Sequence, residues 1–160
     1  MTSLSAGVDA GGTDIPIDPQ ALAELTGRAM YAKDAASQAL GARLTSIGPG
    51  CASMEMTVRV DMLNGHQTCH GGFIFALADS TFAFACNARN QTTVAAGCSI
   101  DYLAPAFGGD VLTAQAIEVS LAGRTGVYDV LVSNQDGKRI ALFRGRSYRI
   151  KGQVVGDSKL

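Results

Sequence analysis

At 160 residues and 47% hydrophobic content, the chain is sized for one domain with a full core. Its 13 basic and 14 acidic residues leave a formal charge of −1, which argues against a nucleic-acid binder or a protein held on an acidic membrane surface. Cys51, Cys69, Cys86 and Cys98 are scattered with no C-x-x-C pair, and residues 1–7 show neither the basic residues nor the apolar core of a signal peptide. The expectation is a cytoplasmic protein with reduced thiols.

Residues 1–17 are small, polar and Gly-rich, which predicts a disordered tail. Asp18-Pro19 reads as an N-cap followed by proline at the first helical position. A helix is expected over 19–40, with Leu22, Leu25, Ala29, Ala32, Ala36 and Leu40 on one side and Gly41 as its stop. A short β segment over 44–47 and a turn at Gly48-Pro49-Gly50 follow. Met54, Met56, Val58, Val60 and Met62 then alternate with polar residues, the pattern of a half-buried strand ended by Asn64-Gly65. Beyond Asn90 come four strand-like segments, over 93–103, 111–121, 126–133 and 139–150, separated by turn residues. In the second of these the apolar phase slips between Ala116 and Ile117, which predicts a bulge or bend. The domain is expected to span 18–151, with a flexible C-terminal tail over 152–160.

The stretch 70–88 organises the rest. His70-Gly71-Gly72 opens it, and the run that follows is apolar except for Asp79, Ser80 and Thr81 near its middle. Its Ala, Leu and Phe content predicts a helix, and apolarity on nearly every side predicts burial. It is too short and too interrupted to cross a bilayer. The order of elements suits an α+β fold, a long antiparallel sheet curling round one central buried helix with an additional N-terminal helix. An Asp in the middle of such a helix needs a partner or a task. Two glycines at the helix start expose oriented N–H groups and allow close approach of a ligand. A donor-rich helix end and a buried acid together point to chemistry on a carbonyl.

Asn64-Gly65-His66-Gln67-Thr68-Cys69-His70-Gly71-Gly72, followed by Leu77-Ala78-Asp79 and Ala83-Phe84-Ala85-Cys86-Asn87, resembles the hotdog-fold acyl-CoA thioesterases, and most of all the thioesterases of bacterial phenylacetate degradation. Ser99-Ile100-Asp101-Tyr102-Leu103 with Pro105, Gly126-Val127-Tyr128-Asp129 and Ala141-Leu142-Phe143-Arg144-Gly145 extend the likeness over roughly 28–151. The resemblance implies that the Gly71 N–H polarises a thioester carbonyl and that Asp79 is nucleophile or general base. It also implies that Asn64 and His70 help hold substrate and water. The physics agrees: hydrolysis builds negative charge on the carbonyl oxygen, and thiolate leaves readily, so one carboxylate can suffice.

Gly72, Ser80 and Thr81 are further candidates for contact with substrate, the two hydroxyls alternatively bonding back to the helix. Arg124, Arg144 and Arg146 are candidates for the coenzyme A phosphates, each alternatively a plain surface residue. Ala104 stands where the family often has a basic residue. His66 and His70, four apart with Cys69 beside them, have loop-like surroundings that do not suit a metal pair, and the reading calls for no metal and no cofactor. Gly71 and Asp79 are eight apart, about 12 Å at ~1.5 Å per helical residue. The expectation is therefore a dimer whose composite sites pair Gly71 of one subunit with Asp79 of the other; the family implies pairing of dimers into a homotetramer. The expected activity is hydrolysis of aromatic acyl-CoA esters such as phenylacetyl-CoA or its ring-hydroxylated derivatives. The alternatives are a hotdog hydratase or dehydratase and a non-catalytic acyl-CoA-binding regulator.

Overall fold

Asp18 caps the first helix as its position suggests: its carboxylate accepts from the Ala21 N–H at 2.9 Å, and α1 runs over Pro19–Tyr31. In the computed structural model, residues 17–156 are described; the tail expected over 1–17 lies, but for Ile17, outside them. The single helix expected over 19–40 is two. Asp34 caps a second helix, α2 (Ala35–Leu40), by accepting from the Ser37 N–H at 3.0 Å, and Gly41 closes it at φ +75°.

The strands β1 (Arg43–Gly48) and β2 (Cys51–Thr57) form an antiparallel hairpin. The alternation read through Met62 does not continue as strand. Thr57 pairs with Val111, the first residue of β4 (Val111–Ala122), so no neighbour remains to extend the ladder. A 3₁₀ turn over Val60–Met62 follows instead, leaving Val60 83% exposed while Met62 is fully buried.

The central helix α3 (Gly71–Asn87) is followed by β3 (Thr93–Tyr102), then β4, β5 (Thr125–Ser133) and β6 (Arg139–Arg149). The six strands form one antiparallel sheet in the order β1-β2-β4-β5-β6-β3, and α3 packs across one face of it. Met54, Met56, Leu112, Val130 and Phe143 of that face meet Leu77, Phe82 and Phe84 of the helix. Each such fully buried side chain contributes roughly 1.5–3 kcal/mol relative to exposure. The bulge in β4 falls between Glu118 and Ser120, just past the expected slip. Ile117 stays on the outer face with Leu142, whereas Leu121 is turned back towards Cys86 and Tyr128.

Two clamps fix the ends of this core. Asn87 donates to Ala83 O and Thr93 O and accepts from the Thr93 N–H, all at 2.9 Å, joining the last turn of α3 to the start of β3. The Asn90 side chain bonds both backbone groups of Val155, which is buried. Residues 152–156, expected in a loose tail, are thus tied to the domain; 157–160 lie outside the described residues. Among the described residues, no helix is long and apolar enough to cross a membrane.

Candidate active site

The loop before α3 is held from both sides. The Cys69 N–H donates to Ala106 O and the His70 N–H to Met62 O, each at 2.8 Å. Within the loop, Asn64 Oδ1 accepts from the His66 N–H at 2.9 Å, and its Nδ2 donates to Thr68 Oγ1 at 3.1 Å. Asn64 therefore shapes the approach to the helix, with its carboxamide engaged by its own turn. His66 is exposed in that turn.

His70 is the N-cap of α3. Its Nδ1 accepts from the Gly72 N–H at 3.0 Å, which makes Nε2 the protonated nitrogen of the neutral ring and turns a donor outward. Gly72 thus spends its N–H on the cap. The Gly71 N–H, first in the helix, has no partner among the hydrogen bonds of the described residues. It carries the partial positive charge of a helix start. Tyr102 of β3 lies directly against Gly71: its hydroxyl donates to Gly71 O at 2.9 Å, and a Cβ at position 71 would come within 2.9 Å of the ring. Only glycine leaves room for this contact. A groove of about 480 Å³ runs beside it, lined by Gly71, Ile74, Tyr102, Leu103 and Pro105; Asp79 is not among its walls.

Asp79 sits two turns further along α3, half-buried. Its Oδ1 accepts from the Cys98 thiol of β3, with sulfur and oxygen 3.6 Å apart. Burial raises the Asp79 carboxyl above its ordinary range, and the Cys98 hydrogen bond pulls it partly back. Burial and then the Asp79 charge push the Cys98 thiol up to about 11. Strand β3 thus runs antiparallel along α3 like a ruler, with Thr93 at Asn87, Cys98 at Asp79 and Tyr102 at Gly71. Neither Tyr102 nor Cys98 is among the candidate site residues read from the sequence. Their separation of four places them on one face of a strand, but no local pattern tells which face meets α3.

The hydroxyls beside Asp79 point elsewhere. Thr81 is fully buried and donates to Leu77 O at 2.7 Å, so it is a helix back-bond and not a substrate contact. Ser80 Oγ lies 3.0 Å from Ser37 Oγ and joins α3 to α2.

The arginines also separate. Arg144 and Arg146 share the sheet face opposite α3, as their spacing requires. Arg144 is bound bidentately by Asp129 at 2.6 and 2.7 Å, which leaves it little to offer a phosphate. Arg146 has no ion-pair partner among the described residues; its guanidinium lies over Gly97 of β3. Arg124, in the β4–β5 turn, stacks on Tyr148 near the far end of α3. Among the described residues, no group of three or more His, Cys, Asp or Glu side chains is placed to hold a metal ion.

Comparison with known proteins identifies the family. The thioesterase superfamily matches residues 66–141, the segment that carries both Gly71 and Asp79. The acyl-coenzyme A thioesterase PaaI of Escherichia coli (strain K12) is 50% identical over 130 residues, covering 81% of this chain and 93% of that protein. The structure of the E. coli PaaI protein from the phenylacetic acid degradation operon superposes with a TM-score of 0.84 at 48% identity, over 85% of this chain and 99% of the other. A hypothetical thioesterase from Streptococcus pneumoniae TIGR4, solved with coenzyme A, superposes at a TM-score of 0.71 with 26% identity, over 78% of this chain and 96% of the other. By sequence and by fold, the chain belongs to the thioesterase superfamily.

Proposed function

We propose that the protein hydrolyses aromatic acyl-CoA thioesters, phenylacetyl-CoA or its ring-hydroxylated derivatives, to the free acid and coenzyme A. The proposed setting is phenylacetate breakdown in the cytoplasm. The relatives that support the substrate are the E. coli PaaI thioesterase and the streptococcal protein solved with coenzyme A. The observation that carries the chemistry is the pairing, along one strand, of an unspent helix-start N–H with a desolvated carboxylate.

In this reading the thioester oxygen accepts from the Gly71 N–H, which stabilises the charge that develops there. Asp79 either takes a proton from water as that water's oxygen bonds to the carbonyl carbon, or attacks the carbon itself. The C–S bond breaks, and coenzyme A leaves as thiolate and is protonated; where Asp79 has attacked directly, water then cleaves the mixed anhydride to release the acid and restore the carboxylate. Burial of Asp79 keeps the carboxylate basic, which suits either role.

Gly71 and Asp79 stand about 12 Å apart along α3 at ~1.5 Å per residue, too far to share one carbonyl. The site is completed by a second copy. Its support is β3, which carries both contacts and ends the sheet with an edge unpaired within the chain. Two copies joined along β3 about a two-fold axis would set antiparallel α3 helices side by side, Gly71 of each near Asp79 of the other. Such dimers pairing again would give the tetramer.

The test is thiol release from phenylacetyl-CoA by wild type and Asp79→Asn, with a straight-chain acyl-CoA of similar size for comparison. An inactive, folded Asp79→Asn oligomer and a preference for the aromatic ester uphold the reading. Retained activity in Asp79→Asn would make the carboxylate structural. Binding of the ester without thiol release by either protein would favour the regulator.

A further inference from the structure

We infer that Cys98 is a positioning residue for Asp79, holding one carboxylate oxygen through its thiol so that the other is left to react. The inference rests on the reading of Asp79 as the reacting carboxylate. The contact is the one hydrogen bond to the Asp79 side chain among the described residues, Sγ to Oδ1 at 3.6 Å. It comes from β3, the strand that also fixes Gly71 through Tyr102. One strand therefore sets both halves of the reacting machinery, with Cys98 paired to Gly145 of β6 and exposed in the single chain.

The chemistry of the donor matters. A thiol is a weak hydrogen-bond donor. It can fix the rotation of a carboxylate while withdrawing little of its basicity. A hydroxyl at the same place would hold the ionised form more tightly and make it a weaker base. The groups facing Asp79 are few. Cys98 comes from β3, Cys86 lies further along α3 itself, and Arg146 of β6 acts on Cys98. From α2, Ser37 reaches Ser80. Among the described residues no cation is placed against Asp79, so the thiol bond is the polar contact that orients its carboxylate.

The experiment measures kcat and KM for phenylacetyl-CoA hydrolysis against pH in wild type, Cys98→Ala, Cys98→Ser and Asp79→Asn, all as the native oligomer. Cys98→Ala loses the donor. Its kcat falls about tenfold, the scale of one hydrogen bond to a charged group, with KM little changed. Its acid limb moves to higher pH, because the anion has lost a stabilising contact. Cys98→Ser recovers most of kcat and moves the acid limb below that of wild type. A merely structural cysteine would not shift the limb in opposite directions in the two variants. The inference is overturned if Asp79→Asn is inactive while both Cys98 variants keep the wild-type kcat and acid limb. If Asp79→Asn is active, the assignment of Asp79 fails, and the role of Cys98 with it. Should Cys98→Ala fail to fold, the limb of Cys98→Ser decides alone: a downward shift supports the inference and an unmoved limb rejects it.

Discussion

The two edges of the sheet are built on the same plan and finished differently. Each edge strand carries one irregularity, between Leu44 and Ser46 in β1 and between Ala95 and Gly97 in β3. At β1 the edge is covered: α1 packs along it, and Gln20 donates to Ile47 O at 2.8 Å. At β3 the strand is longer, has Asp101 as its one charged residue, and is largely exposed in the single chain. Proteins commonly blunt an edge with charge, bulges or a covering element. Here β1 is blunted and β3 is left able to pair. The open edge is also the one that touches Gly71 and Asp79, so the proposed assembly and the proposed chemistry meet on one strand.

A charge at each irregularity would break this comparison if it is wrong. Ala96 has no pairing partner on β6, so Ala96→Asp spares the ladder within the chain while setting like charges against each other across a two-fold contact. The expected outcome is a smaller species in sedimentation velocity and a loss of at least about 100-fold in kcat/KM, the scale of removing an oxyanion donor. Thr45 occupies the matching place in β1. Thr45→Asp should leave both sedimentation and turnover unchanged. Equal effects at the two edges would show that β3 has no special part in assembly.

The next effect in size concerns the contact between β3 and the helix start. In Gly71→Ala the added methyl meets the Tyr102 ring at 2.9 Å, and either the ring or the first turn must shift. A kcat loss of about 10–100-fold is expected, since misplacing a reacting group by about 1 Å can cost 100-fold. The double variant Gly71→Ala/Tyr102→Ala should regain part of that loss. Strict additivity in steady-state kinetics would mean that the clash is not the cause.

Much of this arrangement was legible along the chain, and the exceptions share a cause. The burial of α3, the order of strands and the glycine turns follow from local periodicity, which the sheet and helix obey. The break between α1 and α2 was hidden because the apolar spacing from Ala29 through Ala36 runs unbroken across it. Yet Asp34 caps there as Asp18 does at the start of α1. Strand β2 stops where β4 ceases to accompany it, a fact about a partner more than fifty residues away. The site divides in the same way. Gly71 and Asp79 stand out by their neighbours in sequence, whereas Cys98 and Tyr102 matter only because β3 folds back along α3. Thr81 lies two residues beyond Asp79, about 200° round the helix, and that rotation turns it into the core.

The elevated carboxyl of Asp79 gives an effect on stability opposite in sense to its effect on activity. A group whose folded-state pKa is raised stabilises the fold while protonated, and that contribution is lost as pH rises through the folded pKa. The ionised form of Asp79 is the one that burial disfavours, and asparagine has no such form. Asp79→Asn should therefore melt above wild type at neutral pH, and the gap should close as pH falls into the carboxylate range. A lower melting temperature for Asp79→Asn throughout would identify a structural acid in place of a reacting one.

The smallest effect lies at the covered edge, and it tests whether that edge is only a support. Gly27 of α1 rests on β1; a Cβ there would come within 3.0 Å of Leu44 Cδ2 and 3.1 Å of Ile47 Cδ1. Two contributions oppose each other in Gly27→Ala. Alanine favours the helix by about 0.8–1 kcal/mol over glycine. Overpacking costs about 1–3 kcal/mol, towards the lower end where the atoms met are the ends of side chains that can turn aside. The two nearly cancel, so the net expectation is a change of less than about 1 kcal/mol, seen as a shift of no more than roughly 2–4 °C in melting temperature for a chain near this size. Because no hydrogen bond among the described residues joins α1 or β1 to Gly71 or Asp79, kcat should be unchanged below the transition. A fall in kcat without a fall in melting temperature would place the β1 edge in the reacting machinery and dissolve the distinction between the two edges.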